Sequence, residues 1–265
     1  MQDPVVHHDI HGTHGPFLLL VHGLMSSRAQ WTPNIKALST FCRPVVVELF
    51  GHGRSPSPED PQYYTPDHYI SQFEKVRDSL NIRQWFVCGQ SLGAALTLHY
   101  SLHHPGRFIA QIFTNSRSAL SDESHDETMV ILKQRLARDG RKIIDTFPLH
   151  PSRSRHMPSE IKKEMVEAVD LVDVNGFANT LLYTVTRCSV RSRLDKIQVP
   201  TLMIVGRYDT AFSRLRNIAE QRIPQLETIV LDGGHAVNID VAEDFNAATE
   251  DFITKHLKLH AYKTT

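Results

Sequence analysis

The sequence predicts an α/β protein in which a mostly parallel central sheet is flanked by helices. Strand-like and helix-like segments alternate along most of the chain, and the strand-like segments are apolar throughout rather than at every second position. Such unalternated strands are buried on both faces, as in parallel sheets covered by helices. The alternation stops once, between about residues 116 and 196, where helical patterns occur without a strand. Together these observations predict a doubly wound core with a helical insertion.

The elements of the core can be assigned in chain order. The predicted strands are Val5–Ile10, Phe17–Val21, Pro44–Glu48, Trp85–Cys88, Phe108–Phe113, Thr201–Val205 and Glu227–Leu231. The predicted helices are Trp31–Thr40, Pro66–Leu80, Leu92–His104, Ala211–Arg222 and Asn238–His256. Thr65 precedes Pro66 as a plausible N-cap, and proline is favoured at the first helical position.

The insertion divides the chain into two predicted units. Residues 1–115 and 197–265 form the α/β core, and residues 116–196 form an all-helical cap with predicted helices at Glu127–Asp139, Ser159–Leu171 and Asn175–Thr186. Helical insertions of this kind act as lids over a site, although the same helices could simply cover apolar surface.

The composition argues against several classes of protein. Lys and Arg total 29 against 29 for Asp and Glu, so no excess of positive charge indicates binding of nucleic acid or an anionic membrane. The longest apolar run, Phe17–Val21, is far too short to span a bilayer. The N-terminal residues lack a basic segment followed by an apolar one, so we expect no secretory signal and a cytoplasmic protein. Three scattered cysteines predict no disulfide framework.

Histidines are numerous, with 16 in the chain, and four of them cluster near the N-terminus at His7, His8, His11 and His14. They fall on a short strand and its turn, without the i, i+4 spacing that a helical metal site uses. We therefore expect solvent-exposed histidines there, no metal and no cofactor.

Ser91 lies in the most informative motif, Gly89-Gln-Ser91-Leu-Gly93, between a strand and a helix. This context is that of a nucleophile elbow, a tight turn that presents a serine hydroxyl above the edge of a sheet. The glycines are required because side chains two residues either side would collide with the strand or the helix. The motif predicts that Ser91 is a nucleophile.

A serine nucleophile needs a base, and the sequence supplies one on a neighbouring loop. Asp209 follows the strand Thr201–Val205, and His235 follows the next strand. Loops at the carboxyl ends of parallel strands converge on one edge of the sheet, so Ser91, Asp209 and His235 should meet there. Asp232 is a nearby alternative to Asp209. His52, His99 and His103 are set aside because no carboxylate is correspondingly placed.

The backbone N–H groups of Leu24 and Leu92 are the predicted oxyanion hole. Gly23 allows a tight turn that presents the N–H of Leu24, and Leu92 directly follows the nucleophile. His22 is expected to hold this loop through hydrogen bonds rather than to take part in chemistry.

Taken together, five motifs in order resemble those of the α/β-hydrolase superfamily: His22-Gly23, Gly51–Ser55, Gly89–Gly93, Asp209 and Gly234-His235. The resemblance spans about residues 5–257. It implies a central sheet of eight strands with a helical cap between strands six and seven. The N-terminal part is short, which leaves open whether the family's first strand is present. Gly51–Ser55 is interpreted as a structural turn.

The favoured reaction is hydrolysis of a small or medium carboxylic ester, or a thioester, through an acyl-enzyme on Ser91. Serine at position 91 argues against relatives that use an aspartate nucleophile. Carbon–carbon bond hydrolases of the fold often carry Trp where this chain has Ala236, and menaquinone-pathway lyases carry Arg near Ala94 and Ala95. A carbon–carbon hydrolase or lyase, or a receptor-like protein that binds a ligand, remains as an alternative.

The substrate pocket is the least determined feature. Met25, Trp31 and Leu92, with Leu181, Leu182 and Tyr183 of the cap, could line an apolar acyl pocket or could be ordinary core. Arg117 follows the strand Phe108–Phe113 and could pair with a substrate carboxylate or form a salt bridge within the cap.

Overall fold

A seven-stranded sheet is the centre of the fold, as seen in a computed structural model that describes residues 3–122, 126–154 and 157–264. The strands are β1 (His8–Ile10), β2 (Phe17–Val21), β3 (Arg43–Val47), β4 (Trp85–Gly89), β5 (Phe108–Thr114), β6 (Thr201–Gly206) and β7 (Leu226–Leu231). Their spatial order is β1-β3-β2-β4-β5-β6-β7, and β1 alone runs antiparallel to its neighbour. The predicted mostly parallel sheet is thus confirmed, and the described residues contain one strand fewer than the eight that the resemblance implied.

Helices cover both faces of the sheet. Those of the core are α1 (Thr32–Leu38), α2 (Pro66–Ser79), α3 (Leu92–His103), α9 (Ser213–Arg222), α10 (Val237–Asp240) and α11 (Ala242–Thr264). Between β5 and β6 the structure has α4 (Arg117–Leu120), α5 (Asp126–Asp139), α6 (Arg141–Asp145), α7 (Ser159–Asp170) and α8 (Val174–Asn179). The described residues between 115 and 200 contain no strand.

The strand β2 is apolar throughout because both of its faces are buried. Leu19 and Val21 pack on one face of the sheet, in a core shared with α2 and α3. Leu18 and Leu20 pack on the opposite face, in a core shared with α1 and α11. A strand covered on both sides has no position for a polar side chain, and this is the pattern from which the parallel sheet was predicted.

Four predicted helices differ from the observed ones, among them Ala211–Arg222, which is a 3₁₀ turn over Thr210–Phe212 followed by α9. Trp31–Thr40 is a 3₁₀ turn over Arg28–Trp31 followed by the shorter α1. Asn175–Thr186 is α8 followed by a π-helical segment over Thr180–Val185. Asn238–His256 is interrupted at Val241, which has φ −138° and ψ 60° and separates α10 from α11. Each difference is a local change of helix geometry, which apolar periodicity does not report.

The helical segment packs onto the core through close contacts. Its own apolar cluster includes Leu136, Val169 and Phe177, and it also contains Met25 from the loop after β2. A Cβ at Gly51 would lie 2.7 Å from the Cα of Gly176, so the turn after β3 and α8 can touch only because both residues are glycines. These contacts place the helical segment over the carboxyl end of β2.

In the parts of the chain that the structure describes, no helix is long and apolar enough to cross a membrane. Of the N-terminal histidines, His14 is exposed, but His7, His8 and His11 are half-buried, so the expectation of solvent exposure was wrong for these three. His8 lies on the edge strand β1, and His7 and His11 directly flank it.

Candidate active site

Ser91 stands at the turn between β4 and α3 in a strained backbone conformation. Its φ of 52° and ψ of −112° lie outside the region that residues with a Cβ normally adopt. A Cβ at Gly93 would collide with the carbonyl oxygens of Val21 and His22, and a Cβ at Gly89 would collide with the backbone of Gly93. The two glycines therefore permit the turn that holds Ser91 above the sheet, as the motif predicted.

The structure brings Ser91, His235 and Asp209 together. Oγ of Ser91 lies 3.0 Å from Nε2 of His235, and Nδ1 of His235 lies 2.7 Å from Oδ2 of Asp209. These separations are those of two consecutive hydrogen bonds. Asp232, the alternative carboxylate, instead pairs with Arg207 at 2.5 Å on the surface. The arrangement has the geometry of a nucleophile, a base and a carboxylate that orients the base.

Asn115 is a fourth polar residue of the site that the sequence analysis missed. Its Nδ2 donates to Oδ2 of Asp209 at 2.8 Å, and its Oδ1 accepts the N–H of Gly206 at 3.2 Å. The side chain is wholly buried directly after β5. The sequence did contain a signal for Asn115. It is a polar residue directly after a buried parallel strand, and such positions lie at the same edge of the sheet as Ser91.

Asp209 is held in its ionised form. Burial alone would raise the pKa of this carboxyl, but the hydrogen bonds from His235 and Asn115 and the nearby charge of Arg117 outweigh it and lower the pKa below 3.8. Its side chain is 11% exposed, whereas that of His235 is 42% exposed. The carboxylate of Asp209 is therefore buried, whereas the imidazole of His235, the base, is open to a substrate.

The loop that carries His235 is fixed by three contacts outside the imidazole. Nε2 of Gln90 donates to the carbonyl oxygen of His235 at 3.1 Å, and Oδ2 of Asp240 accepts the N–H of Gly234 at 2.8 Å. Nδ2 of Asn115 also reaches the carbonyl oxygen of Gly234, at 3.4 Å. The ring of His235 is therefore positioned by its backbone as well as by Asp209.

The elements of the predicted oxyanion hole lie beside Ser91. Leu92 is the first residue of α3, so its N–H is one of the amides that have no acceptor within the helix. Leu24 lines the same cavity as Ser91, and the preceding N–H of Gly23 donates to Oε1 of Gln30 at 2.9 Å. This placement is compatible with two donors converging on a developing oxyanion.

His22 is buried and holds two loops together, as expected. Its Nε2 accepts the N–H of Leu49 at 3.0 Å, so the neutral ring carries its proton on Nδ1 and donates to the carbonyl oxygen of Gly23 at 2.7 Å. Burial lowers the pKa of His22 to about 4, although the hydrogen bond to Gly23 opposes this. The imidazole is therefore uncharged at neutral pH and acts as a structural bridge.

A cavity of about 350 Å³ opens onto Ser91 and His235. Its apolar wall is formed by Leu24, Met25, Leu149, Met157 and Met165. Its polar lining includes Ser26, Gln30, His150, Arg153, Ser154 and Asp240. The lining includes residues 148–151, 153 and 154, Met157 and, from α7, Met165, so the helical segment forms part of the wall of the site. A cleft of about 590 Å³ near Glu48 and Arg28 is larger, but neither Ser91 nor His235 lines it.

The predicted pocket residues are only partly found at this cavity. Met25 lines it, but Trp31 does not, because it is wholly buried against Phe245 between α1 and α11. Arg117 does not line it either. It is exposed at the start of α4, on a separate surface depression with Arg191 and Arg214.

For Leu181, Leu182 and Tyr183 the sequence left pocket lining and ordinary core open, and none of the three lines the cavity. Leu181 is buried in the cluster around Phe177. Residues 148–151, 153 and 154, with Met157, line the cavity instead, and their polar and proline-rich sequence gave no apolar signal. Leu92 is 1% exposed and its side chain belongs to the core, so only its backbone faces the site.

Comparison with known proteins identifies the family. A family model described as alpha/beta hydrolase fold matches residues 16–155, which is more than half of the 265 residues. The chain therefore belongs to the alpha/beta hydrolase fold family, and this membership supports hydrolase chemistry at the site.

Individual relatives are distant but cover most of the chain. A putative 2-succinyl-6-hydroxy-2,4-cyclohexadiene-1-carboxylate synthase of Bacillus subtilis is 23% identical over 89% of this chain and 90% of its own length. Carboxylesterase YbfK of the same organism is 24% identical over 92% of this chain and 82% of its own. Among solved structures, the enol-lactonase from Burkholderia xenovorans LB400 has a TM-score of 0.81 at 23% identity, covering 94% of this chain and 96% of that one. That likeness supports the fold.

Proposed function

We propose that this protein is a serine hydrolase that cleaves small or medium carboxylic esters, or thioesters, through an acyl-enzyme on Ser91. The observation that carries the proposal is the continuous hydrogen-bonded series from Ser91 through His235 to Asp209, open to a cavity at the Ser91 end. A serine hydroxyl is a poor nucleophile unless such a base removes its proton.

The reaction proceeds in two halves. Oγ of Ser91 attacks the substrate carbonyl while Nε2 of His235 takes the hydroxyl proton, and Asp209 stabilises the resulting imidazolium. The N–H groups of Leu24 and Leu92 stabilise the oxyanion. Collapse of the tetrahedral intermediate expels the alcohol or thiol, which receives the proton from His235. Water, activated by the same imidazole, then hydrolyses the acyl-enzyme and regenerates Ser91.

The cavity supports a substrate of limited size. Pockets for small ligands commonly have volumes of roughly 300–1,000 Å³, and about 350 Å³ lies near the lower end of that range. The thioethers of Met25, Met157 and Met165 provide an apolar and adaptable wall for an acyl chain. Carboxylesterase YbfK is a relative whose name describes this activity.

A second candidate is a lyase or carbon–carbon bond hydrolase that uses the same serine and histidine for proton transfer. The observation that favours it is the similarity to the putative synthase of Bacillus subtilis. Ala94 and Ala95 stand where the menaquinone-pathway lyases carry an arginine, and this places the ester hydrolase first.

The test is labelling with a fluorophosphonate probe, followed by mass spectrometry of the modified peptide. We expect rapid adduct formation on Ser91 and none in the Ser91→Ala variant. A panel of esters, thioesters and diketones then separates ester hydrolysis from carbon–carbon cleavage. Absence of labelling in well-folded protein would contradict an activated serine and would favour a protein that only binds its ligand.

A further inference from the structure

A cluster of two histidines and a carboxylate lies on the surface, away from the cavity at Ser91. His99 and His103 are four residues apart on α3 and so share one face of that helix. Asp67 belongs to the first turn of α2 and faces both imidazoles. Oδ1 of Asp67 lies 3.9 Å from Nε2 of His99 and 3.7 Å from Nδ1 of His103. One such atom from each of the three residues falls within 4.8 Å of the other two.

The hydrogen-bond partners of the two imidazoles show that both rings are available as ligands. Arg193 donates from Nη2 to Nε2 of His99 at 3.0 Å and from Nη1 to Nε2 of His103 at 3.3 Å. Because a guanidinium can only donate, both Nε2 atoms accept these hydrogen bonds, and a metal ion would bind them only in place of Arg193. Neutral imidazole is the form that binds a metal ion. Nδ1 of His99 is buried without a partner in the described part of the chain, so Nε2 is the coordinating nitrogen of that ring.

We propose that His99, His103 and Asp67 form a binding site for a zinc-like divalent metal ion. Two imidazoles and one carboxylate are a donor set that suits zinc, and a water can complete a tetrahedral site. In this structure the positively charged guanidinium of Arg193 contacts both imidazole rings, and a metal ion would replace it.

The required movements are small and involve exposed side chains. Zinc bonds of about 2.0–2.2 Å place tetrahedral ligand atoms roughly 3.3–3.5 Å apart, so the widest separation in the cluster, at most 4.8 Å, must contract by about 1.5 Å. His99 is 8% exposed and is fixed by the core, whereas the side chains of His103 and Asp67 are 36% and 78% exposed and can turn towards it. In the sequence, His99 and His103 were considered only as alternatives to His235 as the base, and their proximity to Asp67 becomes visible in the structure.

The expected role of this site is to stabilise the fold. His99 is eight residues beyond Ser91 on α3, about 12 Å along the helix axis, so the ion does not reach the nucleophile. It would join the start of α2 to the end of α3, two helices that cover the same face of the sheet. A ligand that binds the folded chain alone raises its unfolding temperature.

The test is a titration of the full chain, free of any affinity tag, with zinc chloride in a calorimeter. We expect one site on wild type that His103→Gln and Asp67→Asn each weaken at least about tenfold, since changes even behind a metal ligand cost that much. Arg193→Met should tighten binding, because it removes the competing cation. His104→Gln is the matched control, one residue beyond the cluster on the same helix end, and should bind as wild type does.

A second readout separates this site from the histidines near the N-terminus. Zinc should raise the thermal unfolding midpoint of wild type and His104→Gln by similar amounts, and should raise that of His103→Gln by a smaller amount at the same concentration. If wild type binds no zinc, or if His103→Gln and Asp67→Asn bind it as tightly as wild type does, the proposal is wrong. Neither readout depends on the activity of Ser91, so this result and that of the labelling test are independent.

Discussion

Asn115 and His235 donate to the same oxygen, Oδ2 of Asp209, at 2.8 and 2.7 Å. The carboxylate is therefore held from two sides, by the base that it orients and by the buried amide of Asn115. Because Oδ1 of Asn115 is fixed by the N–H of Gly206, the amide cannot rotate to release Asp209. The end of β5 thus sets the position of the loop after β6.

Asn115→Leu should lower kcat by about 10- to 100-fold with little change in KM. A hydrogen bond to a charged group is worth about 1.5–3 kcal/mol, and its loss leaves Asp209 free to turn away from His235. Steady-state kinetics on the best ester substrate measures the effect. Gln111→Leu is the control, because Gln111 is also a buried amide on β5 but bonds Thr201 instead. Equal losses in both variants would show that Asn115 acts only through stability.

Asp209→Asn should lower kcat by about 10⁴-fold, as the equivalent change does in a serine protease with this arrangement, because the imidazole loses the partner that sets its tautomer. The effect of Asp209→Asn on the free energy of unfolding should also depend on pH. The pKa of Asp209 is lowered in the folded state, so its ionised form stabilises the fold above pH 3.8 and this contribution is lost as the pH falls through the folded pKa. Urea unfolding should show a larger difference between wild type and variant at neutral pH than under strongly acidic conditions. A difference independent of pH would contradict the lowered pKa.

Gly23 and Gln90 should be energetically coupled. A Cβ at Gly23 would collide with Oε1 of Gln90, whose Nε2 holds the carbonyl oxygen of His235. Gly23→Ala should therefore reduce kcat, since Gln90 must move and release the loop of His235. Gln90→Ala removes Oε1, the atom with which the new methyl group would collide. In a double-mutant cycle of kcat/KM, the combined variant should be less impaired than the sum of the single changes predicts. Strict additivity would show that the methyl group acts on Ser91 alone.

The sequence predicted the part of the site that the sheet positions. Ser91, Asp209 and His235 each follow a parallel strand, so strand order and the glycine spacing suffice to bring them to one edge. The cavity wall depends on how the helical segment packs, which no local pattern encodes. Trp31 illustrates this difference. It follows the loop of Gly23 closely in sequence, yet the 3₁₀ turn Arg28–Trp31 directs it into the core beneath α11.

Met165→Ala should shift the preference of the enzyme towards longer acyl chains. Met165 lines the cavity from α7 and is 6% exposed, so its truncation adds volume to the pocket. Rates on a series of esters of increasing acyl length measure the shift, and the unfolding free energy should fall by about 2–5 kcal/mol. Leu171→Ala, an exposed apolar residue at the end of the same helix, should leave the length preference unchanged. An unchanged optimum in Met165→Ala would mean that the acyl chain occupies another part of the cavity.

Acid should destabilise the fold through two buried histidines near the site. Burial lowers the pKa of His22 to about 4 and that of His52 to about 3, against an ordinary value of 6.5, and their rings lie 5.4 Å apart. Between pH 6.5 and those values the unfolded chain takes up protons that the folded chain refuses, so stability is complete above pH 6.5 and falls as the pH decreases below it. Each imidazole contributes a slope of about 1.4 kcal/mol per pH unit over its range.

His52→Gln should therefore make the acid-induced loss of stability shallower, by about one imidazole's contribution between pH 6 and pH 4. Urea unfolding at several pH values gives the slope directly. His14→Gln is the control, because His14 is exposed and its loss should leave the slope unchanged. The same slope in wild type and His52→Gln would mean that His52 becomes protonated without unfolding. In that case the turn Gly51–Ser55 must open to water before the core does, since Nε2 of His52 is buried without a partner among the described residues.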